Sequence, residues 1–230
     1  MRVAALELPA RFYRVAENLE LVGSLLARGS CDLALMPEAS LTGYVSPERD
    51  FDLTRFAEPR DGPTAHALAE LAKKHGTHLV GPLIEREGDR VYNAMIGFDR
   101  KGREFIHYRK RHPWYPETWA TPGDGPHPVV IALGVRVTIA ICFDIQFASE
   151  LPAADLLLFP SAWVDDRAAD SRAEILSKVG MAVVNANWGV GEPRVPGQGG
   201  SRILDGTGGL HVMAASAGRI DADCVVATVA

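Results

Sequence analysis

Apolar residues recur at helical spacing in three segments of the chain, which predicts three helices with one apolar face each. The first is marked by Val15, Leu19, Val22 and Leu26, the second by Leu68, Leu71 and Ala72 between Pro63 and Gly76, and the third, over residues 168–180, by Ile175, Leu176 and Val179. Charged residues occupy the opposite face of the third segment, at Arg172, Glu174 and Lys178. We therefore expect a surface helix that packs on a sheet.

Between these segments, short runs of apolar and β-branched residues predict strands. The runs are 3–6, 33–36, 79–83, 94–98, 105–108, 135–142, 156–159 and 183–187. Several are apolar on both faces, which is typical of strands buried between layers, and the polar segment 99–102 is predicted as a turn between two of them. The pattern indicates a layered α/β fold with central strands.

The last part of the chain lacks a helical pattern. Turns at Asp205-Gly206 and Ala217-Gly218 predict hairpins that finish the sheet over residues 197–230. Residues 189–200, rich in Gly and Pro, are predicted as a loop at the sheet's edge, suited to lining a pocket. No repeat or linker interrupts the 230 residues, so one domain over residues 1–230 is expected.

Composition narrows the class of protein. A formal net charge of -5 and one short basic cluster at residues 108–112 give no footprint for nucleic acid. Glu7 and Pro9 interrupt the first apolar run, so we expect neither a signal peptide nor, from run lengths elsewhere, a membrane span. The three cysteines have no pairing or metal-ligand spacing, which favours reduced thiols in a cytoplasmic protein.

Three predicted strands each end in a reactive side chain, namely Glu38, Lys110 and Cys142. Layered α/β folds place their sites at such strand ends. Taken alone, each residue also has a structural explanation: a strand-end carboxylate, a solvated lysine in a basic cluster, and a small apolar filler. For Glu38, partial burial after a buried strand would raise its pKa toward that of a general base.

The sequence around these residues resembles the three signature blocks of the nitrilase or carbon–nitrogen hydrolase superfamily, in the order of that family. The blocks are residues 37–44, 108–112 and 141–144, supported by Tyr92-Asn93, by residues 121–124 and 159–163, and by Asn185-Ala186-Asn187. The resemblance covers nearly the whole chain. Three ordered blocks are far more specific than one.

The resemblance implies a cysteine amidohydrolase with Glu38 as general base, Cys142 as nucleophile and Lys110 as oxyanion donor. The backbone N–H of Phe143 would be a second oxyanion donor, and the charge of Lys110 would lower the pKa of the thiol. Glu117 stands where many relatives have a second glutamate and would position Lys110 and the substrate. The alternative for Glu117 is a solvated loop carboxylate.

Substrate contacts are expected from Phe143, Tyr44, Trp114, Trp163 and Gln146. Gln146 stands where many relatives have arginine, so a clamp for a substrate carboxylate is missing and N-carbamoyl amino acids are disfavoured. The aromatic residues Trp114, Tyr115, Trp119 and Trp163 fit either a pocket wall or plain packing. Asp165 and Asp166 fit either an amine-binding pair or, more simply, a solvated turn.

No cofactor is expected. The seven histidines lack metal-site companions, and Gly189-Val190-Gly191 lacks the third glycine and the helix of a dinucleotide loop. By resemblance the fold is a four-layer α-β-β-α sandwich with two mixed sheets, in a homodimer or higher homo-oligomer. The implied reaction is hydrolysis of a small amide or N-carbamoyl amine, with a nitrilase or a non-catalytic binding protein of the same fold as alternatives.

Overall fold

The computed structural model describes residues 1–165, 174–215 and 222–229. Within them the chain forms helices α1 (Val15–Arg28) and α2 (Pro63–His75). The strands, in chain order, are β1 (Arg2–Glu7), β2 (Pro9–Arg11), β3 (Leu33–Leu35), β4 (His78–Glu87), β5 (Arg90–Phe98), β6 (Glu104–Arg109), β7 (Val130–Ala132), β8 (Val135–Ile139), β9 (Leu156–Ser161), β10 (Ala182–Asn187), β11 (Gly189–Glu192), β12 (Arg202–Leu204), β13 (Leu210–Met213) and β14 (Asp223–Thr228). Short 3-10 turns cover Thr54–Phe56 and Cys142–Glu150.

Two six-stranded mixed sheets form the centre of the fold. The first has the order β14-β1-β3-β4-β5-β6 and the second the order β13-β12-β10-β9-β8-β7. In the first sheet β1, β3 and β4 are parallel, and in the second β8, β9 and β10 are parallel. The predicted α-β-β-α sandwich with two mixed sheets is confirmed.

Alternation of side chains along the strands explains why the central runs are apolar on both faces. On β1, Val3 and Ala5 belong to the core between the sheets, whereas Ala4 and Leu6 pack against the helical layer of α1 and α2. A strand that lies between a sheet and a helix layer buries both faces. The sequence therefore shows a continuous apolar run instead of an alternating one.

The first two helices agree with the sequence pattern. Pro63 occupies the first turn of α2, and Gly76 ends the helix in a left-handed conformation at φ 60° that glycine adopts without strain. Part of the third predicted helix, residues 168–173, lies outside the described residues. Its described part is helical at 174–177, and Leu176 is buried against the outer face of the second sheet.

Two predictions for the last part of the chain are wrong in part. Residues 189–192 are not loop but strand β11, which pairs with β2 in a separate two-stranded sheet. Gly191 allows this pairing, because a Cβ there would lie 2.2 Å from the carbonyl oxygen of Ala10. In the tail, β12 and β13 form the predicted hairpin, but β14 joins the other sheet, antiparallel to β1.

One hairpin was not predicted, and one predicted turn cannot be compared with the structure. The hairpin of β7 and β8 was missed because β7 is only three residues long and half exposed. The predicted turn at Ala217-Gly218 lies outside the described residues. No helix in the described ranges combines the length and apolar character needed to cross a bilayer.

Candidate active site

Lys110 joins two buried carboxylates at one edge of the first sheet. Its Nζ donates hydrogen bonds to Glu38 Oε1 at 2.7 Å and to Glu117 Oε1 at 2.6 Å, and all three side chains are buried. Lys110 directly follows β6 and Glu38 follows the parallel strand β3, so both come from the same sheet edge. Glu117 reaches them from the loop after β6. The alternative of a solvated loop carboxylate is therefore wrong for Glu117.

The neighbouring arginine of the basic cluster has a different environment. Arg109 donates to Glu85 Oε1 at 2.5 Å and to Glu87 Oε1 at 2.9 Å, and it lies over the ring of Tyr92. Consecutive strand residues point to opposite faces, which separates Arg109 from Lys110. The solvated alternative is therefore wrong for Lys110, whose side chain is 0% exposed.

The two carboxylates keep Lys110 charged. Burial by itself would lower the pKa of Lys110, but attraction by Glu38 and Glu117 outweighs it and the pKa is raised. An ammonium group has three N–H donors, and two of them are used here. Among the described residues the third N–H has no hydrogen-bond acceptor.

The two carboxylate oxygens of Glu38 differ in their hydrogen bonding. Burial, together with repulsion from Glu117, raises its pKa even though Lys110 and Asn93 act in the opposite direction. Its Oε1 accepts from Lys110 and from Asn93 Nδ2 at 2.8 Å. Its Oε2 is buried and accepts no hydrogen bond from the described residues. Such an oxygen is suited to accept a proton from a nearby donor.

Cys142 follows β8 of the second sheet at a sharp turn. Its φ is 45°, a left-handed conformation that is strained for a residue with a side chain. Burial, then repulsion by Glu38, raises the pKa of the thiol well above its usual range, although Lys110 and the backbone N–H of Ala162 act to lower it. Lys110 acts to lower the pKa of the thiol, as expected, but burial and repulsion by Glu38 outweigh it, so the pKa is raised overall.

Asp144 holds the cysteine turn in place. Its Oδ2 accepts from the backbone N–H of Ile141 at 2.9 Å and from the Tyr108 hydroxyl at 2.8 Å. Its Oδ1 accepts from the backbone N–H of His112 at 2.9 Å. One buried carboxylate thus joins the turn of Cys142 to the segment on both sides of Lys110. Asp144 lies within the signature block 141–144, but the sequence pattern did not predict a role for it.

Replacing Asp144 with alanine is expected to loosen this turn. Two buried donors and one part-buried donor lose their acceptor, so the free energy of unfolding should fall by roughly 2–4 kcal/mol, measured by urea denaturation. Reaction of Cys142 with 2-chloroacetamide should slow at the same time. Asp205→Ala is the matched control, because Asp205 caps a turn between β12 and β13 remote from the site. An unchanged Cys142 reaction rate in folded Asp144→Ala would contradict the positioning role.

The pH dependence of the thiol offers a separate test of the electrostatics. Glu38 raises the pKa of Cys142, so Glu38→Gln should move the midpoint of 2-chloroacetamide alkylation to lower pH while amide turnover falls. Glu117→Gln should move the midpoint in the same direction by less, since Glu117 contributes less to the raised pKa. A midpoint that rises in Glu38→Gln would contradict the charge arrangement.

Cys142 lies in the wall of a cavity of about 640 Å³. Five predicted contact residues line it, namely Phe143, Tyr44, Trp114, Trp163 and Gln146, together with Tyr115, Ala162, Val164 and Asp165. Glu38, Lys110 and Glu117 are fully or almost fully buried and do not line it. Trp119 is not part of the wall either and packs in an apolar cluster. Asp166 lies outside the described residues.

Tyr44 connects the cavity wall to the buried charges. Its hydroxyl donates to Glu117 Oε1 at 2.6 Å, and its ring stacks on Trp114 with the centroids 6.5 Å apart. Burial and the nearby carboxylates raise the pKa of Tyr44 well above its usual range, so the hydroxyl keeps its proton and remains a donor. The aromatic wall is therefore tied to the position of Glu117.

Two buried asparagines also organise the site. Asn93 Nδ2 donates to Glu38, and the carbonyl of Asn93 accepts the Lys110 backbone N–H at 2.8 Å. Asn187 Oδ1 accepts from the Trp163 backbone N–H at 3.1 Å, and its Nδ2 donates to the carbonyls of Gly197 and Gly199 at 2.8 Å. Each is a polar residue in a mainly apolar strand, although β10 also contains Asn185; this is a sequence signal for a buried hydrogen-bonding side chain but not for its partners.

The site has no arrangement typical of a bound metal. Among the described residues, no group of three or more His, Cys, Asp or Glu side chains is placed to hold a metal ion. Cys31, Cys142 and Cys224 are free thiols. Among the described residues, the charged side chains at the site are Lys110 and its two carboxylate partners, Asp144 on the cysteine turn and Asp165 in the cavity wall.

Comparison with known proteins agrees with the geometry. Residues 2–183 match the family described as Carbon-nitrogen hydrolase. The chain is similar to a hydrolase from the pqqF 5' region of Pseudomonas protegens, 32% identical over 172 residues, or 70% of this chain and 59% of that protein. It is also similar to an (R)-stereoselective amidase from Pseudomonas sp, 27% identical over 217 residues, or 89% of this chain and 77% of that protein.

The fold is likewise similar to solved structures. An amidase from Nesterenkonia sp. superposes with a TM-score of 0.81 at 22% identity, over 98% of this chain and 89% of that one. The aligned region covers a smaller share of some other curated relatives, for example 49% of a hydrolase from Mycobacterium tuberculosis. The structural likeness supports the two-sheet architecture described above.

Proposed function

The chain belongs to the carbon–nitrogen hydrolase family, and from that premise we propose that it hydrolyses a small amide or N-carbamoyl amine through a thioester on Cys142. One observation carries the proposal. Lys110 lies between Glu38 and Glu117, and all three are electrostatically coupled to a thiol that opens on a cavity. A buried charge cluster is costly to desolvate, which disfavours a protein that only binds a ligand.

In the first half of the reaction Cys142 acts as the nucleophile. Glu38 Oε2 takes the thiol proton as sulfur attacks the carbonyl carbon. The third N–H of Lys110 and the backbone N–H of Phe143 stabilise the oxyanion that forms. Glu38 then gives the proton to the nitrogen, which leaves as ammonia or an amine, and the acyl group remains on sulfur.

The second half releases the acyl group. Glu38 takes a proton from water, which attacks the thioester carbon, and the oxyanion is held by the same donors. The thiolate leaves and recovers the proton from Glu38, which restores the enzyme. Because the pKa of the thiol is raised, the resting cysteine is neutral, and proton transfer to Glu38 has to accompany attack.

A neutral substrate fits the cavity best. Its described lining contains no Lys or Arg side chain, and Gln146 lies exposed at its edge. A substrate carboxylate would find no cation there to pair with. We therefore expect N-carbamoyl amino acids to be poorer substrates than neutral amides and N-carbamoyl amines. A cytoplasmic location and a homodimer or higher homo-oligomer stay predictions.

Ammonia or amine release from a panel of neutral amides, N-carbamoyl amines, N-carbamoyl amino acids and nitriles tests the proposal. We expect release from one of the first two classes. Inactivation by 2-chloroacetamide, which carries an amide next to a leaving group, should modify Cys142 before Cys31 or Cys224, as mapped by mass spectrometry. Release from nitriles alone would favour the nitrilase alternative, and silence across the panel would favour a binding protein.

A further inference from the structure

A second cavity of about 530 Å³ adjoins the cavity at Cys142. Trp114, Tyr115 and Val164 line both cavities and form the wall between them. The second cavity therefore shares three wall residues with the cavity that contains Cys142. Together the two have the dimensions of a site for a ligand larger than a few-carbon amide.

The walls of the second cavity are apolar. Val45, Phe51, Pro193, Val195 and Pro196 line it beyond the shared residues. Of its described lining residues only Arg49 is charged, and Arg49 is exposed. An apolar group gains free energy in such a site in proportion to the surface that it removes from water.

Side-chain hydrogen bonds hold the walls in place. Gln198 accepts from the Val195 backbone N–H at 3.1 Å and donates to the Pro193 carbonyl at 3.0 Å, which closes the loop on itself. Asn187 binds the carbonyls of Gly197 and Gly199 and so fixes the same loop to β10. A wall fixed in this way is already formed before a ligand arrives, which lowers the entropy cost of binding.

The wall between the cavities is fixed as well. Trp114 contacts the ring of Phe51 edge-on at 5.7 Å and stacks on Tyr44, which is hydrogen-bonded to Glu117. Tyr115, in contrast, is 80% exposed, although its ring contacts Trp114 at 4.6 Å. A chain could therefore pass from the reaction site over Tyr115, while Trp114 remains in position.

We propose that the second cavity binds an uncharged apolar or aromatic group of the same amide whose carbonyl lies at Cys142. The inference rests on the proposed function and adds the substrate class: amides with an apolar extension of several carbon atoms on the acyl or the amine side. Continuity of the two cavities through Trp114, Tyr115 and Val164 favours one substrate over two separate ligands.

Two series of substrates test the inference, primary amides of increasing acyl length and acetamides of increasing N-alkyl length. In one series kcat/KM should rise by about 4-fold for each methylene that enters the second cavity, and level off once the cavity is full. Val195→Phe, which fills the cavity, should flatten that rise. Leu210→Phe is the control, because Leu210 is an exposed residue of β13 outside both cavities and should leave the rise unchanged.

A flat response in both series, or the same rise in folded Val195→Phe, would overturn the inference. Affinity provides a second measurement that does not depend on turnover. Long amides should bind Cys142→Ala more tightly than short ones, and Val195→Phe in that background should remove the difference. If no amide is hydrolysed but this affinity difference is seen, the proposed function fails and the second cavity is still supported.

Discussion

Replacing Cys142 with alanine is expected to lower kcat/KM for the best amide by on the order of 10⁴-fold or more, because no thioester can form. Among the described residues that line the cavity, only Cys142 carries a thiol. Binding of the substrate should persist, since the rest of the cavity wall is unchanged. Ammonia release and substrate affinity, measured on the same preparation, separate these two effects.

The other two cysteines provide matched controls for this variant. Cys31 and Cys224 are half-buried and lie away from the cavity, packed against the helical layer of the first sheet. Burial raises the pKa of Cys224 to about 11 and also raises the pKa of Cys31. Cys31→Ala and Cys224→Ala should keep wild-type turnover. If Cys142→Ala retains activity and one of these variants loses it, the nucleophile has been assigned to the wrong thiol.

Replacing Lys110 with methionine should affect both turnover and stability. Loss of the oxyanion donor is expected to lower kcat by on the order of 10³-fold. The free energy of unfolding at neutral pH should fall by roughly 3–5 kcal/mol, because Glu38 and Glu117 would be left buried without their shared cation. Urea denaturation and steady-state kinetics measure the two effects.

The pH dependence of this variant has a defined sign. Lys110 lowers the pKa of Glu38, so without Lys110 the already raised pKa of Glu38 rises further above its value in the unfolded chain. The folded state then binds more protons than the unfolded state, so the stability of Lys110→Met should increase as the pH falls toward the range where carboxyl groups protonate. In wild type Lys110 offsets part of this rise, so the gain in stability from Glu38 in that range should have the same sign but be smaller.

Two further variants complete the test of Lys110. Lys110→Met combined with Glu38→Gln should recover part of the stability at neutral pH without recovering activity. Lys178→Met is the control for loss of an ion pair, because Lys178 and Glu174 form an exposed pair with side chains 70% and 69% accessible. Turnover of Lys110→Met within tenfold of wild type would remove Lys110 from the mechanism.

The local pattern of the sequence was sufficient for most of the secondary structure. Helices α1 and α2 and the central strands agree with the spacing of apolar residues, because packing between layers requires an apolar face at each such element. The pattern failed where a strand is short or its partner is remote. Residues 189–192 look like a glycine-rich loop, and only the close approach of Ala10 to Gly191 makes them a strand.

The candidate site was found because its residues lie in recognisable blocks. Resemblance to a family selected Glu38, Lys110 and Cys142 over their structural alternatives, which a single position could not do. Asp144, Asn93 and Asn187 carried no assigned role, because their importance lies in hydrogen bonds to other segments: to the His112 backbone for Asp144, to the Glu38 carboxylate for Asn93 and to the Gly197 carbonyl for Asn187. Such hydrogen bonds depend on which segments of the chain pack together, and residue spacing along the chain does not show this.

The sequence by itself determined the layered α/β class and, through resemblance, the family, and it selected Glu38, Lys110 and Cys142 as candidate catalytic residues, since local periodicity and residue identity are properties of the sequence. Only the tertiary structure decided which side chain of the basic cluster is buried, with Lys110 inside between two carboxylates and Arg109 outside on Glu85 and Glu87. It also decided that the thiol pKa is raised overall and that a second apolar cavity adjoins the first. Burial and charge proximity are sums over residues far apart in the chain, so the packed fold alone sets their values.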